Sequence, residues 1–241
     1  MQQKIPVRVK QRILRKRHSF VNKLIRWTPK NPENFPWRKS RDPYRILVSE
    51  MLLRRTRASK VAQIYDRFIH KFPTANALAD SPIREIKRIV RPLGMVSRSN
   101  KMKKVARSIV EDYPFGFPSQ ESSILSTIGV QSLYATNAIK CFAFGDKVPI
   151  FDANVKRILE RVFSLDLGSD AHKKKSSWEV AGLLVPKTTC KQYNWALLDL
   201  GRTVCTPSKP RCGICPLNSL CDFVKKRDSG RTLAVQSSLS G

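Results

Sequence analysis

The sequence predicts an all-α fold. Apolar residues recur at helical spacing along most of its 241 residues, strand-like alternation is scarce, and no internal repeat is visible. The clearest helix runs over 153–163, where Val155, Ile158, Leu159, Val162 and Phe163 fall at i, i+3, i+4, i+7 and i+8 and form one apolar stripe.

The remaining elements follow in chain order. Residues 1–30 hold many Lys and Arg and no acid before Glu33, yet Ile13, Leu14, Phe20, Val21, Leu24 and Ile25 keep a partly helical spacing. That pattern predicts a basic helix packed on the body rather than a loose tail. The span 44–56 places Ile46, Leu47, Met51 and Leu52 near one face, and 58–72 does the same with Val61, Ile64, Tyr65 and Phe68. Further helices are expected over 82–91, 99–112, 121–127, 133–144, 174–185 and 191–200. From Lys225 to Gly241 the chain is rich in Ser and small residues, and reads as a flexible tail.

Charge narrows the function. Lys and Arg number 46 against 18 acids, a formal net charge of +28. Such an excess repels itself in a compact chain and points to a polyanionic partner, nucleic acid first and an anionic membrane surface second. No stretch is long and apolar enough to span a membrane, and the basic N-terminus lacks a secretory apolar core. An intracellular chain is expected, in which thiols stay reduced and a cysteine cluster reads as metal-binding. Ribosomal and other basic proteins share this charge, so composition reaches only a nucleic-acid binder.

Four cysteines near the C-terminus, Cys205, Cys212, Cys215 and Cys221, are spaced C-x6-C-x2-C-x5-C. Four thiolates on one short segment suit an iron–sulfur cluster, which takes one cysteine per iron. Most zinc ribbons carry two C-x2-C hooks and this segment has one, so the spacing favours a cluster over zinc, with free or disulfide thiols as the third reading. Cys141 and Cys190 lie on predicted helices and read as packed core residues. His18, His70 and His172 form no ligand spacing.

Several polar residues have simple structural readings. Asp152 precedes the strongest amphipathic helix and reads as its N-cap. Glu50 follows an apolar run and reads as a solvated face residue. Arg54, Arg55 and Arg57 read as an exposed basic loop, and Tyr134 as a core tyrosine.

Longer stretches change those readings. The cysteine segment, with Ala196-Leu-Leu-Asp-Leu-Gly201 ahead of it, joins Phe35-Pro-Trp-Arg38, Arg41-Asp-Pro-Tyr44, Ile46 through Thr56, Cys141-Phe-Ala-Phe-Gly145 and Phe151-Asp-Ala-Asn-Val-Lys-Arg157. Together they resemble the endonuclease III/MutY superfamily of helix-hairpin-helix (HhH-GPD) DNA glycosylases over about residues 34 to 223. Leu-Leu-Arg-Arg-Thr at 52–56 is most similar to the thymine-releasing mismatch glycosylases of the Mig type, whereas MutY-type adenine glycosylases usually hold Gln-Gln-Thr there. MutY-type enzymes also generally add a further domain after the cluster, and this chain ends soon after it.

The resemblance implies two interleaved helical domains: a six-helix domain over 46–146 carrying the hairpin, and a 4Fe-4S cluster domain over 147–224 against which 1–45 packs, followed by a tail over 225–241. It implies a cleft site in which Asp152 is the essential catalytic carboxylate and Glu50 faces the extruded base. Tyr134 would occupy the place where lyase-competent relatives hold a Schiff-base lysine; a phenol forms no imine, so base release by water is expected. Lys140 on the same segment would lie on another helical face. Arg54, Arg55 and Arg57 would enter the gap left by the extruded nucleotide or grip phosphates, and Lys209 and Arg211 would present cations from the cluster loop.

The hairpin departs from the family's Leu-Pro-Gly-Val-Gly: a gapless alignment gives Ile128-Gly129-Val130-Gln131-Ser132. Phosphate anchoring by Gly129, Gln131 and Ser132 would therefore differ, Ser132 donating in place of a glycine amide. A rival alignment puts Leu125 to Gly129 on the motif and brings Gln131 to the position given above to Tyr134.

The expected function is a monofunctional DNA glycosylase of base-excision repair, a monomer acting on double-stranded DNA with a mispaired, damaged or modified base, T or U opposite G first among them. The alternatives are an adenine glycosylase at A·G or A·8-oxoguanine pairs, a bifunctional enzyme, a catalytically inert DNA-binding protein and, least in accord with the charge, an electron carrier.

Overall fold

The computed structural model describes residues 5–27, 34–94, 96–119 and 133–229. Among the described residues every regular element is helical, as the periodicity predicts. The chain divides into two compact units, one formed by 1–33 with 147–241 and the other by 34–146. Residues 34–45, expected beside the cluster segment, instead fall in the 34–146 unit. The reason is aromatic: Phe35 stacks on Trp37 at 4.7 Å, and Trp37 meets Tyr65 edge-on at 5.5 Å.

The 34–146 unit holds α2 (Pro43–Leu53), α3 (Ala58–Lys71), α4 (Ala75–Asp80), α5 (Ile83–Val90), α6 (Ser99–Asp112) and α7 (Leu133–Ile139). The last continues as one π-helical turn, Lys140–Phe144, which ends on Gly145 at φ +80°. Asp42 starts α2 by accepting from the Tyr44 and Arg45 amides, with Pro43 at the first helical position. Val48, Leu52, Val61, Phe68, Phe72, Ile86 and Val90 close one core. Two tyrosines tie its rim: the Tyr44 hydroxyl donates to the Phe72 carbonyl (2.8 Å) and the Tyr65 hydroxyl to that of Arg45 (3.1 Å).

The other unit holds α1 (Val7–Trp27), α8 (Ala153–Phe163), α9 (Lys175–Gly182), α10 (Cys190–Thr203) and α11 over 222–229. The basic helix α1 is an integral part of it. Ile13, Phe20 and Leu24 are buried, and the Phe20 ring lies 5.3 Å from that of Phe163 and 6.4 Å from that of Tyr193. Lys16 reaches off the same helix to the Val162 and Leu220 carbonyls and to Asp222 (3.2, 2.9 and 2.6 Å), joining the end of α8 to the end of the cysteine segment.

Several elements differ from expectation, among them the helix placed at 191–200, which runs from Cys190 to Thr203. The helix placed at 44–56 ends at Leu53, and the one placed at 174–185 ends at Gly182. The short α4 was not expected; Thr74 caps it by accepting from the Ala77 amide (3.2 Å). Residues 225–229, assigned to the tail, belong to α11. The expected helix 121–127 and the residues 230–241 lie outside the described residues.

Candidate functional site

Asp152 caps α8. Its backbone is extended (φ −125°), and one carboxylate oxygen accepts from the Val155 amide at 2.8 Å. The second oxygen accepts from Asn154 Nδ2 at 2.9 Å, so both oxygens are oriented while the side chain stays half-buried. The approach is equally fixed. Asn194, fully buried on α10, accepts from the Ile150 amide (3.2 Å) and donates to the Val148 carbonyl (3.0 Å). Phe151 is buried with its ring 5.5 Å from that of Trp178. The capping reading of Asp152 therefore holds, and leaves a carboxylate edge available for chemistry.

Behind Asp152 a single arginine gathers three segments. Arg157 donates from Nη2 to Asn154 Oδ1 and to the Gly201 carbonyl (both 2.8 Å), and from Nε to the Cys205 carbonyl (2.7 Å). Gly201 is required by contact: a Cβ there would stand 2.5 Å from Asn154 Cβ. Gly201→Ala is thus expected to push Asn154 and the Asp152 cap away from α10. The cost is about 1–3 kcal/mol of stability, read in thermal or denaturant unfolding, together with slower base release.

The four cysteines of the C-terminal segment line one small apolar cavity with Leu200 and Val204. None is in a disulfide. Among the described residues no three His, Cys, Asp or Glu side chains converge on a single ion position. Four cysteines around one cavity fit a group that takes one thiolate per iron. Burial pushes the Cys215 thiol up to about 11, and raises that of Cys221. Bound iron would supply the positive charge that stabilises thiolates there.

The segment itself is a series of bends and short 3-10 turns that other elements hold. Arg161 on α8 donates to Cys205 Sγ (3.3 Å) and to the carbonyls of Thr206 and Pro207 (both 2.8 Å). Asn218 donates to the Cys212 carbonyl (2.7 Å). Lys209 is exposed, whereas the Arg211 guanidinium folds back onto the Thr203 carbonyl. Arg211 therefore caps α10 as well as facing solvent.

In the 34–146 unit, Glu50 on α2 and Tyr134 on α7 are both half-buried, on helices that pack against each other. Lys140, which opens the π-helical turn, pairs at 3.7 Å with Asp146 just beyond it, and its side chain is only 16% exposed. Arg54, Arg55 and Arg57 are exposed on the loop between α2 and α3. Gly129, Gln131 and Ser132 lie outside the described residues.

Reading the sequence found the cysteine segment and the capping aspartate but gave no role to Asn154, Arg157, Asn194 or Gly201. A signal existed for two of them: Asn154, Arg157 and Arg161 fall at i, i+3 and i+7, a polar stripe opposite the apolar face of α8.

A family model described as the HhH-GPD superfamily of base excision DNA repair proteins matches residues 48–181. A second, the iron–sulfur binding domain of endonuclease III, matches 205–221, a span that begins and ends on cysteines. A thymine/uracil-DNA glycosylase of Methanothermobacter thermautotrophicus is 35% identical over 213 residues, 88% of this chain and 96% of the relative. An adenine DNA glycosylase of Mycobacterium tuberculosis is 32% identical over 205 residues, 84% of this chain and 67% of the relative. Among solved structures, a thermostable thymine-DNA glycosylase superposes with a TM-score of 0.83 at 35% identity, covering 88% of this chain and 98% of that one.

Proposed function

This chain belongs to the HhH-GPD superfamily of base excision DNA repair proteins, and from that premise we propose that it is a monofunctional DNA N-glycosylase releasing thymine or uracil mispaired with guanine. The observation that carries the substrate is the likeness to thymine/uracil-DNA glycosylases along nearly the full length of both chains. Adenine glycosylases are similar too, and remain the second reading, on 32% identity over 84% of the chain.

The chemistry follows from the side chains. Breaking an N-glycosidic bond builds positive charge on the sugar, and a carboxylate with a free edge can stabilise that charge and take a proton from the attacking water. Asp152 has this form: each oxygen already accepts one hydrogen bond, which fixes its direction. A carboxylate oxygen has two lone-pair positions, so capping and catalysis do not compete. Glu50, half-buried beside an apolar run, would donate a proton or a hydrogen bond to the departing base. Tyr134 would shape the base pocket.

The duplex would be held by Arg54, Arg55, Arg57, Lys209 and Arg211, and by the segment containing Gly129, Gln131 and Ser132. A mispaired base leaves the stack at lower cost than a paired one, which adds selectivity to binding. A 4Fe-4S cluster on Cys205, Cys212, Cys215 and Cys221 would fix the shape of the cation-bearing loop. No helix among the described residues is long and apolar enough to cross a membrane. The protein would act as a monomer inside the cell.

Two products test the reaction type. A T·G or U·G duplex treated with the protein is expected to yield free base and a strand that breaks only after alkali. Borohydride added during turnover is expected to trap no protein–DNA adduct. Strand breakage without alkali, with a trapped adduct, would show an imine-forming amine and remove Tyr134 from the role given to it.

A further inference from the structure

Two loops of the 34–146 unit meet at a set of arginines. After Leu53 the chain leaves α2 at Arg54 (ψ 112°), and Arg55 enters the left-handed region at φ +57°, where a side-chain-bearing residue is strained. From a separate loop the short 3-10 turn Val96–Arg98 delivers Arg98, whose Nη1 donates to the Arg54 carbonyl. Thr56 Oγ1 reaches the same carbonyl at 3.4 Å. The tether adds a cation at the C-terminal end of α2, whose last turn contains no basic residue.

The electrostatics run against the arrangement. Burial, and then the Arg54 and Arg55 charges, hold Arg98 below the usual guanidinium range. Among the described residues no carboxylate pairs with Arg54, Arg55 or Arg98. Like charges gathered at a strained backbone are destabilising unless an anion shares them.

We propose that Arg54, Arg55 and Arg98 form one phosphate-binding site that grips a single phosphodiester of the duplex. The inference rests on duplex DNA being the substrate; of the two tasks expected of this loop it selects the phosphate grip, confines it to one phosphodiester and adds Arg98 to it. The gap left by an extruded nucleotide admits one side chain. Neighbouring guanidiniums instead match the paired oxygens of a phosphodiester, which arginine takes bidentately. Arg98, pinned at the Arg54 carbonyl, sets the direction of the loop and adds its own charge, a role that sequence motifs did not disclose.

The test uses the full chain and a labelled, undamaged duplex titrated across salt concentrations, with wild type, Arg55→Gln, Arg98→Gln and Arg98→Lys. Each Gln variant is expected to weaken binding about 3- to 30-fold and to lower the slope of log K against log salt by about one. The loss is expected to be equal on undamaged and mismatched duplexes. Arg98→Lys is expected to keep most of the slope. A scan of single methylphosphonates should find one position that weakens wild type and leaves Arg98→Gln unchanged.

Unchanged salt slopes in both Gln variants would overturn the proposal. So would a loss confined to extrusion of the mispaired base, with undamaged binding intact, since that is the mark of gap filling. Inorganic phosphate competing at matched ionic strength as well as DNA does would indicate a free-phosphate site and overturn it too. If wild type binds no duplex at all, the DNA reading itself fails. Melting curves of the variants within a few degrees of wild type separate these results from misfolding.

Discussion

Asp152→Asn is expected to slow single-turnover base release by about a thousand-fold, within the range a positioned carboxylate supplies, while binding to the same duplex stays near wild type. Asparagine is as good an N-cap as aspartate, and its amide oxygen can still accept from the Val155 amide, so α8 should start at the same residue. What is lost is the negative charge proposed to stabilise the sugar cation and the acceptor for Asn154 Nδ2. The substitution therefore separates capping from catalysis. Near wild-type release would assign Asp152 to the cap alone and move the chemistry elsewhere.

The second large effect concerns the cysteines. Cys212→Ser is expected to remove most of the iron and inorganic sulfide, about four of each per chain in the wild type, and to destabilise the 147–241 part by several kcal/mol, as loss of structural metal does. The segment from 205 to 221 has little of its own to hold it. Its turns are short, Arg161 grips one end through Cys205, Thr206 and Pro207, and Lys16 grips the other through Leu220 and Asp222. Between those anchors Cys212 and Cys215 are held by two turn bonds, the Cys215 amide to the Cys212 carbonyl (3.2 Å) and the Asn218 amide to the Cys215 carbonyl (3.1 Å), by the Asn218 side chain, by Arg227 at Cys212, and by whatever the thiolates bind. Analysis of the wild type that finds one zinc and no sulfide would refute the cluster, and an unchanged melting curve for Cys212→Ser would refute its structural role.

The helices were legible because most of them are amphipathic, with apolar faces that recur every three or four residues. The spacing of α8 placed its ends at 153 and 163, where the structure has them. Periodicity failed where the reason for stopping is not apolar. Nothing in Leu52-Leu-Arg-Arg-Thr56 breaks a helix, since leucine and arginine are good helix formers, yet Arg55 turns left-handed while Arg98, distant in sequence, takes the Arg54 carbonyl. The six-residue α4 is too short to show a stripe, and only its Thr74 cap announces it.

The site divides the same way. The cysteine spacing and the aspartate before α8 are local patterns and could be read from the chain. The supports are tertiary. Asn194 lies 44 residues from Ile150, and Arg157 is 48 from Cys205, so no local pattern pairs them. Gly201 carries no turn and no positive φ; only the Asn154 Cβ that would stand 2.5 Å from an added methyl explains why no side chain fits there.

The most direct measurement is single-turnover base release from matched duplexes carrying T·G, U·G, A·G and A·8-oxoguanine, each split with and without alkali. Release of thymine or uracil opposite guanine, with strand cleavage only after alkali and no loss of adenine, is the predicted result. Release of adenine alone, or tight binding with no base released from any duplex, would contradict the account.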